Sequence, residues 1–386
     1  MMKKTCTLGI LLTFISFNII GQINQDDLAG SNNPLEYSAS FLTIAPDSRA
    51  GAMGDVGAAT SADYNSMHWN PAKYAFIESD MGLAVSYTPW LRNLVNDINL
   101  GYISFYKRLD KKQTVATTLL YFDLGDIQFT NEFGEANGQH SPYELSLDMA
   151  YSRAFSERIS GGIAFRYIRS DITGGTSVSG TETKAGNAVG ADVSMYYLND
   201  DLKLGKNDYT FSFGVNISNI GSKISYTDVQ KDFIPTNLKI GAAIKYDLDD
   251  YNSITLALDL NKFLVPTPDD NDTIASDIST PEAMVQSFYD APGGFQEELH
   301  ELKYSVGAEY WYANQFAVRA GYFHEHETKG NRKYFTVGVG LKLNVFNIDF
   351  SYLVPVKQNN PLANTMRFTL GLDFQALKMQ KKQKKG

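Results

Sequence analysis

The sequence predicts an all-β fold, a transmembrane antiparallel β-barrel of about fourteen strands with an N-terminal plug. Three observations predict it. Segments of about ten residues alternate apolar and polar side chains, and the connections between them alternate short and long. The chain also opens on an export signal, and no other apolar run approaches the length of a membrane-spanning helix.

The signal comes first in the chain. Lys3 and Lys4 precede an apolar run of about thirteen residues at 8–20, too short to span a bilayer. Gly21 is a small residue suited to cleavage, so residues 1–21 read as a signal peptide and Gln22 as the mature start. Cys6 lies ahead of the apolar run, so the mature chain keeps no cysteine for a disulfide, a thiolate nucleophile or a metal. The formal charge of −9, less Lys3 and Lys4, becomes −11. That balance excludes nucleic acid as a partner, because nothing would neutralise its phosphates.

Residues 22–80 precede the first alternating segment and are read as a plug. They contain DSRAGAMGDVGAA (47–59) and SMHWNPAKYAF (66–76). Gly51, Gly54 and Gly57 recur every third residue among alanines, so the backbone there can pack close against a wall. A phosphate loop would need a Gly-Lys-Ser/Thr ending and a preceding strand, and has neither. The plug motif comprises Arg49, Gly51, Gly54, Asp55, Gly57, His68, Trp69, Asn70, Pro71 and Ala72.

The barrel is expected over 81–374. Its strands fall near 81–90, 98–109, 113–125, 143–155, 158–170, 187–198, 208–218, 236–247, 251–262, 301–312, 315–325, 333–345, 346–354 and 364–374. In the last of these Met366, Phe368, Leu370, Leu372 and Phe374 share one face; Arg367, Thr369, Gly371 and Asp373 share the other. Gaps after even segments are about three residues or fewer, except 199–207 after the sixth; gaps after odd segments are longer. Short turns on one side and long loops on the other place the turns in the periplasm. Aromatic residues near segment ends, among them Tyr87, Trp90, Phe122, Tyr196 and Trp311, fit interfacial girdles. Inward charges include Glu144, Asp148, Asp192, Lys239, Lys245, Asp259, Lys303, Glu309, Arg319, Lys342, Asp349, Arg367 and Asp373, a mixture of signs that implies paired networks. Residues 375–386 form a basic periplasmic tail.

The loop at 263–300 is the longest. It carries Asp269, Asp270, Asp272, Asp277, Glu282, Asp290, Glu297 and Glu298 with no Lys or Arg. Met284, Val285, Phe288, Tyr289 and Phe295 lie among these charges, apolar groups that a solvated loop does not need. Asp269, Asp270, Asp272, Met284, Phe288, Tyr289 and Phe295 are therefore the candidate partner-binding residues.

The glycine-rich box followed by Asn70-Pro71-Ala72 resembles the long-chain fatty-acid transporter superfamily of fourteen-stranded barrels with an N-terminal hatch. Within it, FLTIAPDSRAGAMGDVGAATS (41–61), HWNPAKYAF (68–76) and SYTPWLRNLVNDINL (86–100) resemble the PorV family of the Bacteroidetes type IX secretion system. The resemblance implies an outer-membrane adaptor that binds the C-terminal signal domains of cargo leaving the type IX translocon. It implies delivery to a surface attachment complex containing a sortase-like protease, with outer-membrane lipid around the wall. The superfamily fold also allows a passive transporter of hydrophobic solutes.

No enzyme, cofactor or metal is expected. The five histidines are His68, His140, His300, His324 and His326; His324 and His326 share a strand end but show no third ligand. No Gly-x-Ser-x-Gly elbow stands between strand and helix, and Asp269 to Asp272 lack the glycine of an EF-hand.

Overall fold

The computed structural model describes residues 33–377, apart from 131–132, 134–135, 176–181, 205–206, 229, 269–276 and 358–359. The signal peptide, the first residues of the expected plug, Asp269, Asp270, Asp272 and the basic tail beyond residue 377 lie outside the described residues.

Among the described residues sixteen strands follow one another: β1 (Met81–Pro89), β2 (Asn99–Arg108), β3 (Gln113–Asp123), β4 (Ile127–Thr130), β5 (Ala136–His140), β6 (Tyr143–Ala154), β7 (Ile159–Asp171), β8 (Gly186–Leu204), β9 (Asn207–Gly221), β10 (Asn237–Asp247), β11 (Asn252–Phe263), β12 (Lys303–Tyr312), β13 (Phe316–His324), β14 (Lys333–Lys342), β15 (Phe346–Pro355) and β16 (Met366–Asp373). Fourteen of them close an antiparallel barrel in sequence order, with β1 paired to β16 from Gly82↔Asp373 to Tyr87↔Phe368. β4 and β5 pair only with each other, as a hairpin in the loop after β3.

Alternation places the side chains. On β11, Thr255, Ala257, Asp259 and Asn261 are buried, whereas Leu256, Leu258 and Leu260 are exposed. Large apolar residues face outward in the same way on β1, β7 and β14 (Val85, Phe165, Val337), while Ser86, Arg166 and Thr336 are buried. That inversion of the soluble pattern is what a lipid-facing wall requires. The closed ring also leaves no strand edge to satisfy in lipid.

All fourteen expected segments are strands, with corrections at several boundaries. β8 and β9 run on to Leu204 and from Asn207, so the long connection expected after the sixth segment belongs to the ladder. Residues 301–302 close a helical turn through Glu301 N–H to Glu298 O and Leu302 N–H to Leu299 O, and β12 begins at Lys303. β14 stops at Lys342, leaving a three-residue turn where no gap was expected. β16 ends at Asp373, so Phe374 follows the strand. Phe122 and Tyr196 are buried on the inner face and belong to no outer girdle. Lys342 is exposed and Lys245, half-buried, pairs with Asp247 at 2.8 Å; both stand at the short-turn rim.

Residues 33–80 contribute no barrel strand and lie within the ring. Asn33 N–H donates to Thr328 O in the loop between β13 and β14, on the long-loop side. At the other end Ser79 Oγ donates to Asp373 Oδ1 at 2.7 Å, and Arg108 Nη1 to Glu78 O at 2.8 Å, on the short-turn side. The segment thus passes from one mouth of the barrel to the other.

Candidate functional site

Asp47 opens the short helix Ser48–Gly51: its Oδ2 accepts from Ala50 N–H at 3.0 Å, and its Oδ1 accepts from Trp69 Nε1 at 2.7 Å. The first box is thereby tied to the second. Burial, then the nearby Asp63 carboxylate, raises the Asp47 carboxyl to about 6. Asn70 caps the 3₁₀ turn Pro71–Phe76 through Ala72 N–H at 3.0 Å, and Pro71 suits the first position of that turn because its missing donor is not needed there. The Asn70 Nδ2 donates to Ala58 O at 3.0 Å and to Met195 O on β8 at 3.0 Å. Ala72 N–H reaches Ser194 Oγ and its carbonyl accepts from Ser160 Oγ, so this turn is bonded to both β7 and β8.

The glycines allow these approaches. Gly54 has φ +71°, and a Cβ there would stand 2.7 Å from the Tyr322 backbone on β13. On the wall, a Cβ at Gly214 would meet the Ala58 carbonyl oxygen at 2.0 Å. Gly57 faces the Trp69 ring at a distance that admits no side chain, and a Cβ at Gly51 would press on the Arg367 side chain at 2.9 Å.

Charges on the segment meet charges on the wall. Arg49 donates from Nε and Nη2 to Glu309 on β12 at 3.0 and 2.8 Å, and pairs with Asp63 at 3.0 Å. Glu309 in turn accepts from Arg319 at 2.7 Å, and Arg319 reaches Asp349 at 2.5 Å. Asp259 Oδ2 accepts from the N–H groups of Gly57 and Ala58 at 2.8 and 2.9 Å. Asp55 accepts from the Tyr334 hydroxyl at 2.5 Å. Lys73 has no exposed surface; its Nζ donates to Gly57 O at 2.8 Å and Thr60 Oγ1 at 3.1 Å, and burial lowers it to about 8. His68 packs edge-on against Trp69, and burial followed by the Lys239 and Arg166 cations holds it well below its ordinary value.

The described part of the long loop after β11 is folded. It contains the helices Thr280–Gln286 and Phe295–His300. Ala283 packs into a cluster with Phe233, Phe263 and Val265, and Met284 is half-buried. Glu301, fully buried, accepts from Lys262 at 2.6 Å, Lys329 at 3.1 Å and Thr267 Oγ1 at 2.8 Å. Glu298 also accepts from Lys262, and Glu297 from Lys329 at 2.6 Å and from Asn33 Nδ2 at 3.2 Å. Cations from the flanking strand and the next loop therefore bind down a loop that has none of its own. Outside this lattice Tyr289 is 68% and Phe295 78% exposed, and Val285, Phe288 and Leu299 are exposed beside them. Deep in the turn of the next loop, Glu325 is held down to about 2, against the effect of burial, by Lys303 and Arg332.

Of the expected site residues, the plug motif converges inside the barrel and the described loop residues gather at its outer mouth; the two groups do not meet. His324 stacks on Tyr304 and His326 on His300, and no group of three metal-ligating side chains occurs among the described residues. Asp63, Lys73, Arg166, Lys262, Glu301 and Lys329 do comparable structural duty and were not singled out by sequence. Arg166 alternates inward between Asp148 and Asp192, which its parity on β7 could have shown.

The family model described as "Type IX secretion system protein PorV" matches residues 29–270, well over half of the chain, from the luminal segment through β11. The chain belongs to the PorV family. PorV places it in the outer membrane, with a role in type IX secretion. Solved structures similar to this PorV-family chain include the toluene transporter TodX of Pseudomonas putida, 10% identical, covering 88% of this chain and 98% of that one at a TM-score of 0.49. The toluene transporter TbuX of Ralstonia pickettii is 11% identical, with 85% and 96% covered and a TM-score of 0.45. A FadL homologue of Pseudomonas aeruginosa is 10% identical, with 85% and 98% covered and a TM-score of 0.43. No curated protein matches the sequence.

Proposed function

We propose that the chain is an adaptor which binds the C-terminal signal domain of cargo leaving the type IX translocon and delivers it to the sortase-like attachment complex. The barrel anchors it, residues 33–80 plug the lumen, and the outer loops make the contact. The observation that carries this reading is an anchored extracellular loop presenting Val285, Phe288, Tyr289, Phe295 and Leu299 to solvent. Burying exposed anchors such as Phe288, Tyr289 and Phe295 supplies much of the energy of a protein interface. The acidic groups around it, Asp277, Glu282 and Asp290, favour a partner surface that is basic at its rim.

A luminal segment bonded to β2, β3, β7, β8, β9, β11, β12, β14 and β16 also favours docking over passage. Replacing Phe288, Tyr289 and Phe295 together by Ala tests the reading. Cargo affinity should fall by about a thousandfold, two hot-spot contacts' worth, while the barrel still inserts. Unchanged capture and secretion would remove the loop from the contact. Restored uptake of a hydrophobic solute by this chain in a deletion strain would favour passive transport instead.

A further inference from the structure

A small chamber lies in the extracellular half of the lumen, beneath the anchored loop. Its volume is about 80 Å³. Among its lining residues are four cations, Arg166, Lys239, Lys303 and Arg332, against one carboxylate, Asp55. Three of the cations are matched. Arg166 lies between Asp148 and Asp192 at 2.8 and 3.3 Å, and Lys303 and Arg332 share Glu325 at 3.0 and 2.7 Å.

Lys239 differs. It is 9% exposed, its Nζ stands 4.2 Å from the centroid of the Trp69 ring, and among the described residues no carboxylate lies within 4.0 Å and no acceptor receives its protons. An ammonium carries three donors, and those of Lys239, which lines the chamber, are left for an occupant of it. The Asp259, Asp55 and Asp47 carboxylates act on it only through space. Asp259 and Asp55 give their Oδ2 atoms to the Gly57 and Ala58 N–H groups and to Tyr334; their Oδ1 atoms are buried without a hydrogen-bond partner, yet neither stands within 4.0 Å of the ammonium. His68 also lines the chamber, and burial, then the Lys239 and Arg166 cations, disfavour its charged form.

We propose that this chamber binds one small inorganic oxyanion of the phosphate or sulfate class, with the Lys239 ammonium as its principal partner. At roughly 10–15 Å³ per water position, the space holds a single tetrahedral anion with little water beside it. An acyl chain or a nucleotide does not fit, and a lipid-borne phosphate would have to bring its glycerol ester with it.

The test uses the intact protein in detergent micelles. Replacing Trp90 and Trp311 by Phe leaves Trp69, which touches Lys239, as the only tryptophan reporter. Titration with inorganic phosphate at constant ionic strength should give a saturable change in its emission. The midpoint should rise at least about tenfold in Lys239→Met and stay within about threefold in Lys239→Arg. Glycerol 3-phosphate, the lipid-derived source, should bind at least about tenfold more weakly than phosphate. An equal response in Lys239→Met, or glycerol 3-phosphate binding as well as phosphate, would overturn the proposal. Equilibrium dialysis of the unmodified chain against labelled phosphate needs no variant: one phosphate per chain supports the site, and none at millimolar phosphate overturns it.

Discussion

Lys73 is the sharpest case of a single residue bearing on the whole. Its folded value of about 8 lies below the ordinary 10.5, because burial penalises the ammonium. Between those values the unfolded chain holds a proton that the folded chain has released, so stability rises with pH from about 8 towards 10.5. The difference is worth ~3 kcal/mol. Urea unfolding in detergent should show that rise, and Lys73→Met should reduce it; an undiminished rise in the variant would assign it wholly to other buried lysines. Gly54→Ala combines a left-handed backbone with a 2.7 Å clash against Tyr322 and should lose more than about 1 kcal/mol in the same assay. Arg49→Met would strip Asp63 of its cation and leave Glu309 with Arg319 alone. A loss of about 3–5 kcal/mol is expected. The plug motif was legible as residues because its glycines and its Asn-Pro-Ala turn need special backbone geometry. The partners of those residues were not, since Glu309 and Asp259 are more than two hundred positions away.

Among the elements, the strands were readable because each one meets two solvents, lipid outside and a polar interior inside, and a period of two records both. Ser86, Thr336 and Asp259 alternate with Val85, Val337 and Leu258, and nothing but a wall explains them together. Aromatic residues were less informative. Phe122 sits at a strand end like a girdle residue and Tyr196 stands in the middle of β8, and both fill the lumen, beside Phe41 and Phe76. The long loop was the least readable element. Its two short helices are too brief for a periodic signal, and their fixing charges, Lys262 and Lys329, lie outside the loop. Glu301→Gln should loosen that lattice, so limited proteolysis would cut the loop severalfold faster while the barrel's unfolding transition stays in place. Equal cleavage rates would mean that Ala283 and its cluster hold the loop without the ions.

Taken whole, the molecule is a fourteen-stranded outer-membrane wall of the PorV family whose interior is occupied by residues 33–80 and whose outer mouth carries a structured loop. The most direct measurement of that account is a pull-down of the intact chain from cells under mild detergent, with mass spectrometry of what comes with it. The account predicts recovery of cargo C-terminal signal domains with translocon or attachment-complex proteins, diminished when Phe288, Tyr289 and Phe295 are replaced by Ala. Recovery of lipid alone, with no cargo domain in either sample, would contradict it.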